Sequence, residues 1–322
     1  MRAIYAILAV LSLWLPAAPA AAQTSWPAQP VRILVGFTAG TAPDIVGRVL
    51  AEKFAASWGR PVLIENVGGA GGNIACSRVA HSAPDGHTLV LCGNGSLVLA
   101  PSLYSKLNYD PVKDFVPITQ VFVASNILVV HPSVPVSSIP ELVALAKAEP
   151  GRLTYAHTGI GSSQHLAGEL FKYMTQTDIR PVAYRGTTAV LPDLLAGRLS
   201  MSFSNISNVL PLVREGKLRA FAVTSRKRSP QIPDLPTMEE LGFPGYEATA
   251  WFGLQAPAGT PKPIVDRLYK ETTAVMAQPD VKQKLESLGL QLVGNTPSEF
   301  AGLIKTETEG WAKVIKAAGI KP

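Results

Sequence analysis

Beyond residue 30, short β-rich apolar runs alternate with segments of helical periodicity along nearly the whole chain. That alternation marks layered α/β architecture, in which each strand is covered by the helix that follows it. The first unit sets the pattern. Val31–Val35 predicts a strand and 36–42 a loop, and Pro43-Asp44 opens a helix whose apolar positions 45, 46, 49, 50 and 54 share one face. Gly59 is placed to close that helix. Further strands are predicted at 62–65 and 88–92, separated by Gly68-Gly69-Ala70-Gly71-Gly72 and a helix beginning near Asn73.

A second series starts near residue 127, with a strand at 127–131. Ser138-Ile139-Pro140-Glu141 then reads as a capping box, in which serine and glutamate satisfy each other's free amides. A strand at 153–156, a loop Gly159-Ile160-Gly161-Ser162-Ser163 and a helix over 164–174 follow, with Leu166, Leu170, Phe171 and Met174 on one face. Strand–helix units at 180–184 and 199–203 and a strand at 218–224 complete this series. The last segment reads as helical: Thr260-Pro261-Lys262-Pro263 starts one helix, Thr296-Pro297-Ser298-Glu299 caps another, and Phe300, Leu303, Ile304, Trp311, Val314 and Ile315 form an apolar core stripe. Two similar α/β series imply two lobes with a cleft between them.

The N-terminus breaks this pattern. Arg2 precedes an apolar stretch interrupted only by Ser12, Pro16 ends it, and Ala20-Ala21-Ala22 offers a small-residue cleavage site. Residues 1–22 therefore read as a signal peptide cut before Gln23, too short in its apolar run for an anchor of ~20 residues. The protein is expected to be exported. In its 322 residues, 47% hydrophobic and 16% charged, the low charge argues for a packed globule against the ~25% charged residues of an average soluble domain. A net charge of +6 and one dense basic run, Arg226-Lys227-Arg228, with no interleaved aromatic residues, give no support to nucleic-acid binding. That run reads as a solvated turn.

Catalytic signatures are scarce. Gly-x-Ser-x-Gly does not occur, and His81, His87, His131, His157 and His165 show no zinc-ligand spacing. Gly69-Ala70-Gly71-Gly72-Asn73-Ile74 fails as a dinucleotide fingerprint because Ile74 occupies the third glycine position, so its glycines read as a tight turn. No cofactor or metal is expected.

What remains are loops rich in Gly, Ser, Thr and Asn at 36–44, 93–96, 158–163 and 186–188, each after a strand and before a predicted helix. Such loops present free backbone N–H groups at the positive end of a helix dipole and can hold a carboxylate without arginine. In open α/β sheets ligands gather at the carboxyl ends of strands, where these loops lie. The candidate ligand-binding residues are Phe37, Ala39, Gly40, Thr41 and Asp44 in the first loop and Asn94 and Ser96 in the second. Thr158, Gly159, Gly161, Ser162, Ser163 and His165 come from the third, and Gly186, Thr187 and Asn205 complete the set. Asp44 and His165 also have structural readings, as a helix-opening acid and as a packing or capping histidine.

Several ordered stretches carry a resemblance: Pro30–Val35 with Gly40–Asp44, Ile64-Glu65-Asn66 running into Gly69–Ile74, and Ala83-Pro84-Asp85-Gly86-His87-Thr88-Leu89. Gly159-Ile160-Gly161-Ser162 with His165-Leu166-Ala167, Val182-Ala183-Tyr184-Arg185-Gly186, and Trp251–Pro261 continue it. In these the chain resembles the extracytoplasmic substrate-binding proteins of tripartite tricarboxylate transporters, often called Bug receptors. The resemblance implies a periplasmic-binding-protein type II fold, with residues 23–126 and 248–322 in lobe 1 and 127–247 in lobe 2. It implies a monomeric receptor, not an enzyme, that closes on a small organic carboxylate held by amides of 37–44 and 158–163 and delivers it to a two-subunit membrane permease. Ala39-Gly40-Thr41-Ala42-Pro43-Asp44 departs from the Pro-Gly-Gly loop frequent there, and Val67 stands where arginine is common. A receptor serving a signalling partner, or an exported enzyme using the same cleft, is the alternative. In an oxidising periplasm Cys76 and Cys92 stand either as a disulfide or as buried thiols.

Overall fold

The computed structural model describes residues 26–184 and 187–320. The expected leader and Gly186 lie outside the described residues. The chain builds β1 (Val31–Val35), α1 (Ala42–Trp58), β2 (Val62–Asn66), α2 (Asn73–Ala80), β3 (Thr88–Gly93), α3 (Ala100–Leu103) and β4 (Phe115–Ala124). It continues through β5 (Asn126–Val130), α4 (Ile139–Ala148), β6 (Thr154–His157), α5 (Ser163–Thr175), β7 (Arg180–Ala183), α6 (Thr187–Leu195), β8 (Met201–Asn205), α7 (Ile206–Arg214) and β9 (Arg219–Val223). It ends with β10 (Ala250–Pro257), α8 (Lys262–Met276), α9 (Pro279–Ser287), β11 (Leu290–Leu292) and α10 (Pro297–Ala318).

Two sheets result, ordered β11-β4-β10-β3-β1-β2 and β7-β6-β8-β5-β9. The mixed α/β architecture with two sheet-containing lobes follows the expected class. Strand burial explains it. Val31, Ile33 and Val35 pack into one cluster with α1 and α8, whereas Leu34 joins a second cluster with α2 and α10 on the other face. In β5, Leu128 and Val130 go to one side and Ile127 and Val129 to the other. Strands apolar on both faces require helices on both faces, and the chain supplies them.

Half of the first sheet differs from expectation. β4, β10 and β11 are antiparallel additions to the parallel β1, β2 and β3. None was predicted as a strand, because Pro117 interrupts β4, Gly253 interrupts β10, and β11 is three residues long. The Ser138 box is also displaced: Ser138 Oγ accepts from Glu141 N, but Glu141 Oε2 accepts from the amide of Ser137 instead of Ser138. At Thr296 both halves of the box form.

The chain passes from the first sheet to the second across Ser125 and returns between Val223 and Ala250. The crossings are clamped together. Fully buried Asn126 donates Nδ2–H to the carbonyl of Ala248, Thr224 Oγ1 donates to the same carbonyl, and the Thr224 amide donates to Asn126 O. On the second lobe, the basic run lies in a solvated turn, where Arg226 and Arg228 pair with Glu247 and Glu240. A third tie is α10, which packs Phe300 and Ile304 into the first lobe and Trp311 and Val314 against the second. Cys76 of α2 and Cys92 of β3 are joined by a disulfide with a Cα–Cα distance of 6.5 Å. Closing a 16-residue separation contributes ~3 kcal/mol through loop entropy.

Glu307 of α10 meets this crossing, accepting a 2.8 Å hydrogen bond from Trp251 Nε1. Burial pushes its carboxyl up to about 7 despite that bond. The folded state thus prefers the neutral acid, and the associated stability is full below pH 4.5 and lost as pH rises through about 7. Glu307→Gln keeps an acceptor for Trp251 without the charge. Chemical denaturation is expected to find this variant about 2 to 3 kcal/mol more stable than the parent at pH 8 and equal to it at pH 4; parallel pH profiles would contradict the assignment.

Candidate functional site

The carboxyl ends of β1, β3, β6 and β8 open onto one cavity of about 440 Å3. Its walls come from both lobes. The β1–α1 loop supplies Phe37 to Pro43, the β3 end Asn94 and Gly95, the β6–α5 loop Thr158, Gly159 and Gly161 to Gln164, and the β8–α7 junction Asn205 to Asn208. Ala124, Ser125 and Ala250 of the crossing strands line it as well.

The first wall is held by its own hydrogen bonds. Gly40, at φ +83°, donates its amide to Asp44 Oδ2 at 2.9 Å, and Thr41 Oγ1 donates to the Thr38 carbonyl at 2.7 Å. Asp44 is only 2% exposed and also accepts from Arg48 Nε at 3.1 Å and Asn66 Nδ2 at 2.9 Å. Burial alone would raise its carboxyl; the hydrogen bonds from Arg48, Gly40 and Asn66, with the Arg48 charge, outweigh burial and hold it below the ordinary carboxylate value. Asp44 thus shapes the loop from behind and is not among the cavity-lining residues. The glycine-rich segment approaches the first loop closely: a Cβ on Gly36 would stand 2.6 Å from Gly72 Cα. Ser96, 1% exposed, likewise lies behind the wall, where its hydroxyl donates to the Gly71 carbonyl at 3.0 Å.

The second wall begins at the N-terminus of α5. Ser162 is the N-cap, accepting from His165 N at 3.2 Å. Beneath the loop lie His157 and His165, both nearly fully buried, with ring centroids 4.6 Å apart. Gly159 N donates to His157 Nδ1 at 3.2 Å and Gly161 N to His165 Nδ1 at 3.4 Å, which leaves the proton of a neutral ring on Nε2. Burial lowers both imidazoles, and for His165 the neighbouring His157 adds to it, bringing that ring to about 4. His165 is therefore a supporting residue under the loop, outside the cavity lining.

Gln164 bridges the loop to the next helix, accepting from Thr158 Oγ1 at 3.0 Å and donating Nε2–H to Asn205 Oδ1 at 3.1 Å. Asn205 occupies the N-cap position of α7, so this bond holds the N-termini of α5 and α7 side by side at the cavity. Thr187 opens α6. Gln164, Ser207 and Asn208 were missed by sequence reasoning, although Asn205-Ile206-Ser207-Asn208 after a strand is the same polar helix-opening signal used for the other loops. Phe252 and Leu288 to Leu290, which also line the cavity, carry no local signal because they arrive from the distant C-terminal segment. Among the described residues, none that lines the cavity has a charged side chain, and no cluster of His, Cys, Asp or Glu is arranged to hold a metal ion. No helix among them is long and apolar enough to cross a membrane.

Residues 46–320 match the family described as "Tripartite tricarboxylate transporter family receptor". The chain is 35% identical to protein BugT of Bordetella pertussis over 98% of each sequence. It is similar to the solved structure of Rpa4515 from R. palustris with adipate, at 36% identity and a TM-score of 0.85, covering 92% of this chain and 99% of that one. It is also similar to the periplasmic binding protein BugD, at 36% identity and a TM-score of 0.82 over the same shares of both chains.

The buried histidines carry a measurable consequence. The unfolded chain takes up a proton at His165 near pH 6.5, which the folded ring refuses until about pH 4. The stability tied to the neutral ring is therefore full above pH 6.5 and lost as pH falls toward 4, by on the order of 3 kcal/mol. His165→Asn offers an oxygen near the Nδ1 position and does not titrate. Urea denaturation at pH 7 and pH 4.5 is expected to show a smaller acid-side loss in this variant than in the parent.

Proposed function

This chain belongs to the tripartite tricarboxylate transporter receptor family, and from that premise we propose that it is the exported solute receptor of such a transporter. It binds a small organic carboxylate in the cavity between its lobes, closes on it and delivers it to a two-subunit membrane permease. Residues 1–22 serve as the cleaved leader that carries it to the periplasm. The observation that supports this reading best is the cavity itself, whose walls are helix-opening loops from both sheets. BugD, described as a periplasmic binding protein, and Rpa4515, solved with adipate, lend the compartment and the carboxylate class.

Function follows from geometry in two steps. First-turn helix amides have no intrahelical acceptor and face a partial positive charge, so a carboxylate gains charge-assisted hydrogen bonds of ~1.5 to 3 kcal/mol each. Second, a ligand touching both lobes has its full contact set only when they are shut, so it shifts the open–closed equilibrium by that difference in affinity. The first crossing is the single residue Ser125 between β4 and β5, where a hinge can act while the Asn126–Thr224–Ala248 bonds keep the crossings paired. Chemistry on the ligand has no nucleophile–base pair among the described cavity residues to perform it.

A thermal-shift screen of aliphatic and aromatic carboxylates tests the receptor reading, because a ligand at 100 times its Kd adds about 2.7 kcal/mol of stability. At least one acid is expected to raise the melting temperature and to shrink the radius of gyration in small-angle scattering. Gly161→Val should reduce the affinity at least tenfold while leaving the fold: Gly161 sits at φ +78°, and a Cβ there stands 3.1 Å from Leu103 Cδ1. A panel that produces no shift, or a variant that binds as the parent does, counts against the site.

A further inference from the structure

The two lobes offer the cavity different chemistry. On the second lobe, Ser163 and Gln164 open α5, and Ser207 and Asn208 lie in the first turn of α7. Amides at these positions lack intrahelical acceptors. Each helix end carries roughly half a positive charge, so the adjacent pair, fixed together by the Gln164–Asn205 bond, compensates about one negative charge. The first lobe offers less to an anion. The Gly40 amide is already committed to Asp44, the Thr41 amide faces the Thr38 carbonyl at 3.4 Å, and the first turn of α1 holds Asp44 as its own anion.

On the first-lobe side the lining joins the polar side chains of Thr38, Thr41 and Asn94 to a larger apolar surface. Phe37 meets Phe252 edge to face, with centroids 5.4 Å apart, and Phe252 in turn stacks on Phe122 at 5.0 Å. Ile45, Ala250, Leu288 and Leu290 extend this wall. A second carboxylate placed against it would lose its hydration without gaining a cation from any described lining residue. An aromatic ring or alkyl chain would instead exchange water for the faces and edges of phenylalanine.

We propose that the ligand is a monocarboxylate with an apolar body, seated with its carboxylate on the paired N-termini of α5 and α7 and its body on the Phe37–Phe252 wall. This deepens the receptor reading and rests on it. It also sets the chain apart from Rpa4515, solved with the dicarboxylate adipate.

Hexanoate and adipate share a six-carbon chain and differ only in the second carboxylate, so titration calorimetry of the mature protein with each isolates that group. Hexanoate, or benzoate as the aromatic probe, is expected to bind at least tenfold more tightly than adipate. Phe37→Ala, at a half-buried position, is expected to weaken hexanoate at least fivefold, with circular dichroism melting used to verify that the variant is folded. Adipate binding as tightly as or more tightly than both monoacids, or a folded Phe37→Ala protein binding hexanoate as the parent does, overturns the proposal while leaving the receptor reading intact. Binding of none of these acids overturns the proposal, while the receptor reading is then decided by the wider carboxylate screen.

Discussion

The structure depends on the pairing of two chain crossings. Among the described residues two strand-like connections, at Ser125 and before Ala250, join the sheets, and they run side by side because buried Asn126 and Thr224 both bond to the Ala248 carbonyl. Buried donors are costly when unmet, so the geometry that meets Asn126 Nδ2 and Thr224 Oγ1 at one carbonyl is preferred. With the crossings fixed, the carboxyl ends of β1, β3, β6 and β8 can open onto one space. The C-terminal helix reinforces the arrangement from outside by burying Phe300 against one lobe and packing Trp311 on the other.

Charge is managed around the cavity without charged lining residues among those described. Asp44 and Arg48 form a neutral pair behind the first loop, which it braces through Gly40 and Asn66. His157 and His165 support the other loop as neutral rings, held so by burial, and each uses Nδ1 to fix one glycine amide. Fixed dipoles in place of mobile side chains require little reorganisation when a ligand arrives, which favours a site that must both bind and release.

Local signals made much of this legible in the sequence. Short apolar runs and helical periodicity located β1, α1, β5 and α5, Gly59 marked the end of α1, and Thr296 with Glu299 marked the start of α10. The polar loops at 36–44 and 158–163 were recognisable because strand–loop–helix junctions need residues that tolerate positive φ or cap amides, and Gly40, Gly159, Gly161 and Ser162 do this. β4 and β10 were not legible. Their strand character comes from long-range pairing with each other and with β3, which overrides Pro117 and Gly253.

Sequence by itself determined the layered α/β class, the division into two series, and which loops present helix-opening amides, since these are set by propensities and spacings of a few residues. Tertiary structure alone decided which candidates face the cavity. Phe37, Gly40, Asn94, Gly159, Ser163 and Asn205 line it, whereas Asp44, Ser96 and His165 stand behind its walls, and Phe252 and Leu288 arrive from a segment far along the chain. The direction a side chain takes from a loop depends on the hydrogen bonds and burial imposed by neighbours distant in sequence, and no local pattern encodes those.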